Sequence, residues 1–334
     1  MNLEVHIPSL LLPLEIFQLI AKPSVPALER LLSRSDWTRL DVADDHFPLL
    51  DLWGLKKPYA IAPVLAEWDG FELGLSAWMF AEPVNLTPER DWLKLAPARL
   101  LNVTPDESLQ LVEALNRHFS GQGIRFSFRE PGRWYVQCQP EEIPSTTPVE
   151  AASLDPLIKC QPVSKGTINW RSLQNEAQML LHAHPVNRSR EISGKPTING
   201  VWFWGGGTAP LPRAPELECL LTDSPLFLQL AKQTGIETRS VAPPTWRRIR
   251  GNALVFIEEL SNQTRDSDLL KWVSTIERLD QTWFEPISNA LSQGAITRLT
   301  IRVLDRPNEK VFTLTRRSLK FRFWRNAKPL SSYA

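Results

Sequence analysis

The feature that most constrains the fold is a regular alternation of helix-type and strand-type apolar patterns in the second half of the chain. Apolar residues at helical spacing predict helices, and short apolar runs between turn residues predict strands. The helix patterns lie near 173–181, 225–234 and 267–282, and the strand patterns near 198–204, 217–221, 253–257, 299–304, 311–315 and 319–324. This order predicts an α/β fold with a mainly parallel sheet flanked by helices and an antiparallel edge at the C-terminus.

The first half contains a second pattern, in which one helix is followed by a strand hairpin. A helix pattern over 109–119 ends at Gly121, and strand patterns at 124–128 and 134–136 flank the turn Glu130-Pro131-Gly132. We therefore expect a small α+β unit over residues 82–140. The next segment, 140–156, holds four of the 28 prolines, which favours an extended linker.

Charge is balanced overall and unbalanced locally. The 334 residues include 38 Lys and Arg and 37 Asp and Glu, and the net charge of +1 does not favour a globally basic nucleic-acid-binding protein. Residues 1–160 hold 14 basic and 22 acidic side chains, net −8, whereas residues 161–334 hold 24 and 15, net +9. A site for anions is therefore expected in the second half.

Cysteine usage and the first apolar stretch bear on the compartment. Cys138, Cys160 and Cys219 are odd in number and form no CxxC pair, which is typical of a reducing compartment, and we expect them to be buried. The apolar stretch 7–21 is interrupted by two prolines and a glutamate, so it is too short and broken to span a bilayer. These features predict a cytoplasmic protein with no membrane partner.

Candidate functional residues concentrate in one run between 182 and 207. A helix end at His184-Pro185 is followed by a loop with Asn and Arg residues and by a strand that stops in three glycines. This combination would bring cations, amide donors and exposed backbone N–H groups to one spot, which suits a phosphate or carboxylate ligand. The candidate ligand-binding residues are His184, Asn187, Arg188, Arg190, Asn199, Trp204, Gly205, Gly206 and Gly207.

The same run also has a plain structural interpretation, as a helix C-cap, surface arginines and a flexible connection. The glycines are not a Walker-type phosphate loop, because no Lys-Ser/Thr pair follows them and Pro210 and Pro212 oppose a helix start. His182 and His184 are two residues apart, so on a helix they point in different directions and predict no metal site. No Gly-x-Ser-x-Gly motif supports a hydrolase triad.

A second candidate region is the basic C-terminal stretch, which holds ten Lys and Arg residues between 298 and 328 against two acidic ones. The alternation of cations with Leu319, Phe321 and Phe323 predicts a strand with one solvated and one buried face. The alternative is an interaction surface in which basic and aromatic side chains act together. Both interpretations fit the sequence.

The run also carries a family motif. In order, the chain reads His184-Pro185-Val186-Asn187, Arg188, Asn199 and Trp204-Gly205-Gly206-Gly207. This succession resembles the bacterial RpfE-type regulatory proteins, which are relatives of cofactor-independent phosphoglycerate mutases. Those proteins are in turn similar to the archaeal-type phosphoglycerate mutases of the alkaline-phosphatase superfamily.

The resemblance implies a domain arrangement and a ligand. It implies an alkaline-phosphatase-like α/β core formed by residues 1–80 and 161–334, with a smaller α+β domain inserted at 81–160 that ends in the Pro-rich linker 140–156. It also implies a phosphoglycerate-like ligand at the loop of His184, Asn187 and Arg188.

The chain departs from the family where active mutases hold two divalent metals and a serine nucleophile. An early Asp-Gly and late His and Asp-x-x-x-His ligands are expected, but the chain reads His6-Ile7-Pro8-Ser9 and Glu258-Glu259 there, and no histidine follows His184. Metal-assisted phosphoryl transfer loses most of its acceleration without those ligands. We therefore expect a catalytically degenerate phosphoglycerate-mutase-like protein without a cofactor, acting as a regulatory or anion-binding protein.

Two alternatives accompany this expectation. The first is an active 2,3-bisphosphoglycerate-independent phosphoglycerate mutase or phosphatase, which would need a divalent metal. The second is a protein or nucleic-acid interaction module that uses the basic C-terminal stretch. A phosphorylated or carboxylate small molecule and a protein are the expected partners, whereas membranes and nucleic acid are not.

Overall fold

The computed structural model describes residues 1–41, 48–89, 92–153, 157–241, 249, 251–265, 268–305 and 308–334. The predicted helix start at 267 lies outside this set. The described strands are β1 (Asn2–His6), β2 (Asp36–Asp41), β3 (Ala77–Glu89), β4 (Trp92–Ala96), β5 (Arg125–Glu130), β6 (Arg133–Cys138), β7 (Gly200–Gly207), β8 (Cys219–Leu221), β9 (Glu237–Arg239), β10 (Asn252–Phe256), β11 (Arg298–Asp305) and β12 (Asn308–Thr315).

Helices connect most of these strands. The described α-helices are α1 (Leu14–Phe17), α2 (Pro26–Arg34), α3 (Ile61–Trp68), α4 (Pro105–His118), α5 (Val149–Ala152), α6 (Trp170–His182), α7 (Pro185–Ile192), α8 (Pro225–Thr234), α9 (Glu259–Arg265), α10 (Leu269–Leu279), α11 (Glu285–Gln293) and α12 (Arg316–Phe321). The described helices include none that is long and apolar enough to cross a membrane.

The larger sheet has seven strands in the order β2-β12-β11-β1-β10-β8-β9. The five strands from β11 to β9 run parallel to their neighbours, and β12 and β2 add an antiparallel edge. Val5 is in register with Val255 and Ile301, and all three are buried in one apolar core. The predicted mainly parallel sheet with its antiparallel edge is confirmed.

The second sheet is antiparallel, with the order β4-β3-β6-β5 and with β7 paired to β3. Its core side chains come from the sheet and from α4 and α6, and they include Trp134, Trp170 and Phe203. The predicted helix and hairpin of the 82–140 region are confirmed. The strand at 198–204 was expected in the parallel sheet, and that placement is wrong because β7 pairs with β3.

The chain divides into two compact units, one made of Met1–Trp53 and Arg213–Ala334 and the other of Gly54–Pro212. These boundaries differ from the predicted division into 1–80 with 161–334 and 81–160. The reason is β3, which continues through residues 80 and 81 and pairs with β7, so that the segment up to 212 belongs to the same unit. The 182–207 run therefore lies in the inserted unit.

A strand and a loop were expected where the structure has helices, and a predicted helix is confirmed. The predicted strand at 319–324 is wrong, because Thr315 and Ser318 form a capping box that starts α12. The expected loop after His184 is helix α7, since Pro185 fits the first helical position, where its missing N–H is not needed. The helix pattern at 267–282 is α10 followed by a π-helical turn over Asp280–Phe284.

The Pro-rich segment 140–156 is packed rather than a free linker in its described part. The carboxylate of Glu142 accepts hydrogen bonds from Thr167 N at 3.0 Å and Ile168 N at 2.7 Å. The Glu142 carbonyl accepts from Trp170 Nε1 at 2.7 Å. Elsewhere, the three cysteines are buried, as expected.

Candidate functional site

The carboxyl ends of the parallel strands are the first place to look for a site, because ligands of open α/β sheets bind outside these ends. Here β1, β8 and β10 end side by side and lead into the segments 7–12, 222–224 and 257–261. These segments include the positions where the family resemblance places catalytic ligands.

The segments after β1 and β10 fill this edge with buried apolar side chains. Ile7 and Leu10 are fully buried after β1, as are Ile257 and Leu260 after β10. The Ser9 carbonyl accepts a hydrogen bond from the buried Trp272 Nε1 at 2.9 Å. The apolar residues of these two segments therefore belong to the core.

The polar groups nearest the end of β1 form a closed ion-pair network. His6 Nε2 lies 2.7 Å from Glu4 Oε1, and Arg302 Nε lies 2.8 Å from the same oxygen. Arg302 Nη1 also reaches Glu309 Oε2 at 3.0 Å. Although burial opposes it, the hydrogen bonds and charges of His6 and Arg302 lower the pKa of Glu4. These groups are engaged with one another.

The donor set does not fit two divalent metals. In the part of the chain that the structure describes, no three His, Cys, Asp or Glu side chains are grouped so that they can hold an ion. Of the remaining histidines, His118 pairs with Glu176 at 3.4 Å, and His182 is exposed on the last turn of α6.

In the 182–207 run, Asn187 is enclosed by its own unit. Its side chain is 1% exposed, its Oδ1 accepts from Ile198 N at 2.7 Å, and its Nδ2 donates to the carbonyls of Ile198 at 2.9 Å and Leu181 at 2.7 Å. Every polar atom of the amide is used, so Asn187 connects α6 to the start of β7 and offers nothing to a ligand.

Arg190 is also 1% exposed and has internal partners. Its Nη1 pairs with Glu107 Oε2 at 2.8 Å, its Nε donates to the Pro196 carbonyl at 2.6 Å, and its Nη2 donates to the Leu101 carbonyl. The guanidinium thus joins α7 to the start of α4. The expectation that it pairs with a bound anion is not supported by this geometry.

Asn199 and the glycines serve close packing of β7 on β3. Asn199 Oδ1 accepts from Leu86 N at 2.7 Å and its Nδ2 donates to Leu86 O at 2.9 Å. A Cβ on Gly207 would lie 2.6 Å from the Ala60 Cβ, and one on Gly205 would lie 3.1 Å from the Phe80 ring. The glycines are required because neighbouring side chains take the space, and they belong to a strand.

Trp204 donates a hydrogen bond to a carboxylate that no pattern in the sequence singled out. Its Nε1 donates to Glu82 Oε2 at 3.0 Å, and Ala98 N donates to Glu82 Oε1 at 3.2 Å. Burial, reinforced by the nearby charge of Glu150, raises the pKa of Glu82 to about 7. The sequence signal for this residue was an acidic position among apolar ones in the run Ala81–Leu86. The signal was not sufficient, because the burial of Glu82 depends on β7.

Among the nine candidate ligand-binding residues, His184 and Arg188 are those whose titratable side chains reach solvent. His184 is the N-cap of α7, where its Nδ1 accepts from Val186 N at 3.3 Å, and Arg188 is exposed one turn later. Partial burial and the charge of Arg117 lower the pKa of His184. The charge of Arg117 thus acts at the N-cap of α7.

The fold is that of a mixed α/β protein with a mainly parallel and an antiparallel sheet, and parts of the chain are similar to phosphoglycerate mutases. No family model matches the chain. Over 154 residues, 45% of this chain, it is 28% identical to the "Probable 2,3-bisphosphoglycerate-independent phosphoglycerate mutase" of Geobacter sulfurreducens, of which the match covers 38%. Over 122 residues, 33% of this chain, it is 27% identical to the "2,3-bisphosphoglycerate-independent phosphoglycerate mutase" of Methanosarcina mazei, of which the match covers 28%.

Each match thus spans well under half the length of the curated relative. Among solved structures, the PH0037 protein of Pyrococcus horikoshii matches with a TM-score of 0.51 and 13% identity, over 94% of this chain and 87% of that one. The cofactor-independent phosphoglycerate mutase of Thermoplasma acidophilum matches with a TM-score of 0.45 and 16% identity, over 94% and 89%. The chain is weakly homologous to phosphoglycerate mutases, and its likeness to PH0037 shows a shared fold.

Proposed function

We propose that this chain is a catalytically degenerate member of the RpfE-type relatives of phosphoglycerate mutases, with an alkaline-phosphatase-like core, and that it acts in the cytoplasm as a regulatory protein. One observation carries the proposal. Where an active relative presents early and late metal ligands, the segments after β1 and β10 bury Ile7, Leu10, Ile257 and Leu260.

The physical reason is the cost of metal binding in such surroundings. Two divalent ions need several converging carboxylate or imidazole groups to hold them and to offset the loss of their water shells. The described residues of this edge bring no three carboxylate, imidazole or thiol groups together, and phosphoryl transfer without the metals loses its main source of charge stabilisation. Conversion of 2- to 3-phosphoglycerate is therefore not the expected activity.

The enzymatic test compares this chain with an active relative. Purified protein is incubated with Mg²⁺, Mn²⁺, Co²⁺ or Zn²⁺ and 3-phosphoglycerate, beside the Methanosarcina mazei mutase as a positive control, and bound metal is measured by mass spectrometry. We expect no stoichiometric metal and no isomerisation above the protein-free blank. Turnover that a chelator abolishes and added metal restores would establish an active mutase instead.

The binding part of the proposal concerns an anionic ligand at the start of α7. The charge of Arg117 acts at His184, and Arg188 is exposed one turn into α7, so the start of this helix carries positive charge. Phosphate or carboxylate groups bind at such helix starts. Calorimetric titration with 3-phosphoglycerate measures this directly. We expect Arg188→Ala to weaken binding at least fivefold, because a charged hydrogen bond to the ligand is lost.

The matched control is Arg171→Ala, since Arg171 is an exposed arginine on the neighbouring helix α6. It should bind as the unaltered protein does. Absence of binding by the unaltered protein, or equal affinities for both variants, would remove the anion-binding part while leaving the enzymatic test unaffected.

A further inference from the structure

The C-terminal segment 316–328 presents aromatic rings to solvent. Phe321, Phe323 and Trp324 are 64%, 71% and 65% exposed. The rings of Phe323 and Trp324 contact each other edge to face, with 5.6 Å between their centroids. Three large exposed rings within four residues form an apolar patch of the kind that marks an interaction surface.

The backbone that carries these rings is anchored. On one side, α12 buries Leu319. Beyond it, Arg322 pairs with Asp36 at 2.8 Å, and Arg325 Nη1 donates to the Ser35 carbonyl at 3.0 Å. Because residues between and beside the rings are held in place, the rings point outward from a fixed segment.

Lys and Arg residues flank the aromatic residues along the segment. Residues 316–334 contain no Asp or Glu, and the cations of the segment are Arg316, Arg317, Lys320, Arg322, Arg325 and Lys328. All of them except the half-buried Arg322 are exposed. The Arg317 guanidinium carbon lies 5.9 Å from the Phe321 ring centroid. Charge complementarity therefore favours a polyanion as the partner.

We propose that the surface of residues 316–328 binds single-stranded nucleic acid. Unpaired bases would stack on Phe321, Phe323 and Trp324, and phosphates would pair with the flanking arginines and lysines, which is the usual combination in sequence-independent single-strand binding. The proposal uses neither the α7 surface nor the edge of the parallel sheet, so it is independent of the function proposed above.

Two other partners fit the surface less well. The centres of protein–protein interfaces are depleted of charged residues, whereas here six cations surround three rings. A helix that binds a membrane surface needs a long apolar face, whereas α12 has six residues and buries Leu319 within its own unit. Single-stranded nucleic acid fits both features of the surface, because its bases stack on the rings and its phosphates pair with the cations.

The experiment measures fluorescence anisotropy of labelled single-stranded dT20 against the full chain at increasing KCl. If about four phosphates are neutralised, log K should fall with log salt with a slope of about −3. A duplex of the same length should bind more weakly, because its bases are not available for stacking. Poly-L-glutamate and anionic phosphatidylserine vesicles serve as competitors.

Two pairs of variants separate stacking from charge. Trp324→Ala should weaken binding roughly tenfold or more and Trp324→Phe should largely restore it, since one base–ring stack is lost and then replaced. The control is Trp68→Ala, another exposed tryptophan. Arg317→Glu with Lys320→Glu should flatten the salt slope, while Lys232→Glu with Lys271→Glu, both exposed, should not.

Binding that needs Trp324 and is steeply salt-dependent supports the proposal. It is overturned if dT20 does not bind at 50 mM KCl, or if Trp324→Ala binds dT20 as the unaltered protein does. It is equally overturned if poly-L-glutamate or the vesicles displace dT20 at equal charge concentration, because stacking then contributes nothing. Unchanged circular dichroism of the variants shows that folding is preserved.

Discussion

The side-chain amide of Asn187 and the backbone of Ile198 form a two-way hydrogen bond, with Oδ1 accepting from Ile198 N at 2.7 Å and Nδ2 donating to Ile198 O at 2.9 Å. The two hydrogen bonds follow the pattern of a hydrogen-bonded residue pair in a β-sheet. Here they join a side chain of α7 to the backbone just before β7. In the sequence His184-Pro185-Val186-Asn187, the asparagine therefore has a structural role that requires no ligand.

Replacement of Asn187 by Ala should destabilise the protein strongly. The change leaves the buried N–H and C=O of Ile198 without partners, at a cost of about 2–4 kcal/mol. Arg188→Ala, in the next position but exposed, should stay within about 0.5 kcal/mol of the unaltered protein. Urea unfolding of both variants measures the difference, and equal midpoints would contradict a structural role for Asn187.

Arg190→Met should cost about 3–5 kcal/mol, because it removes the partner of Glu107 and the donor to the carbonyls of Leu101 and Pro196. Adding Glu107→Gln should recover part of this loss, since the uncompensated charge disappears while Gln still accepts from Thr104 N in the capping box of α4. A double-mutant cycle by urea unfolding gives the coupling. Additive effects of the two changes would show that the ion pair does not stabilise the unit.

Glu82 should make stability depend on pH between about 4.5 and 7. Its pKa is raised to about 7 in the folded chain, so the folded state binds the extra proton and stability falls as pH rises through this window. The loss is up to about 3 kcal/mol by pH 8. Glu82→Gln should flatten the profile, whereas Glu113→Gln, an exposed residue of α4, should not. Parallel profiles for the unaltered protein and Glu82→Gln would refute this.

Gly207→Ala tests the close approach of β7 to Ala60. The new Cβ would lie 2.6 Å from the Ala60 Cβ, and relieving such overpacking costs about 1–3 kcal/mol. Gly132→Ala, whose Cβ would meet its nearest neighbour at 3.4 Å, should be nearly neutral. Thermal unfolding compares them, and Ala60→Gly should rescue Gly207→Ala. If Ala60→Gly does not rescue Gly207→Ala, the destabilisation does not come from contact with Ala60.

Local patterns sufficed for elements whose signals lie within a few residues. The apolar runs at 253–257 and 299–304 predicted strands of the parallel sheet, and the helix pattern at 225–234 predicted α8. At 319–324 the alternating pattern was misleading, because the cap formed by Thr315 and Ser318 favours a helix. Both signals are local in sequence. The alternation of apolar and basic residues favours a strand, whereas the capping interaction favours a helix.

The sequence by itself determined the mixed α/β class and the balance of charge, since these depend on residue identity and periodicity. Only the tertiary structure decided what the polar residues of the 182–207 run do. Arg190 meets Glu107, which lies 83 positions away, and Asn199 meets Leu86, 113 positions away. A buried polar group bonds to the groups that the fold brings beside it. For Asn199 the partner is set by the pairing of β7 with β3, and for Arg190 by the packing of α7 beside α4.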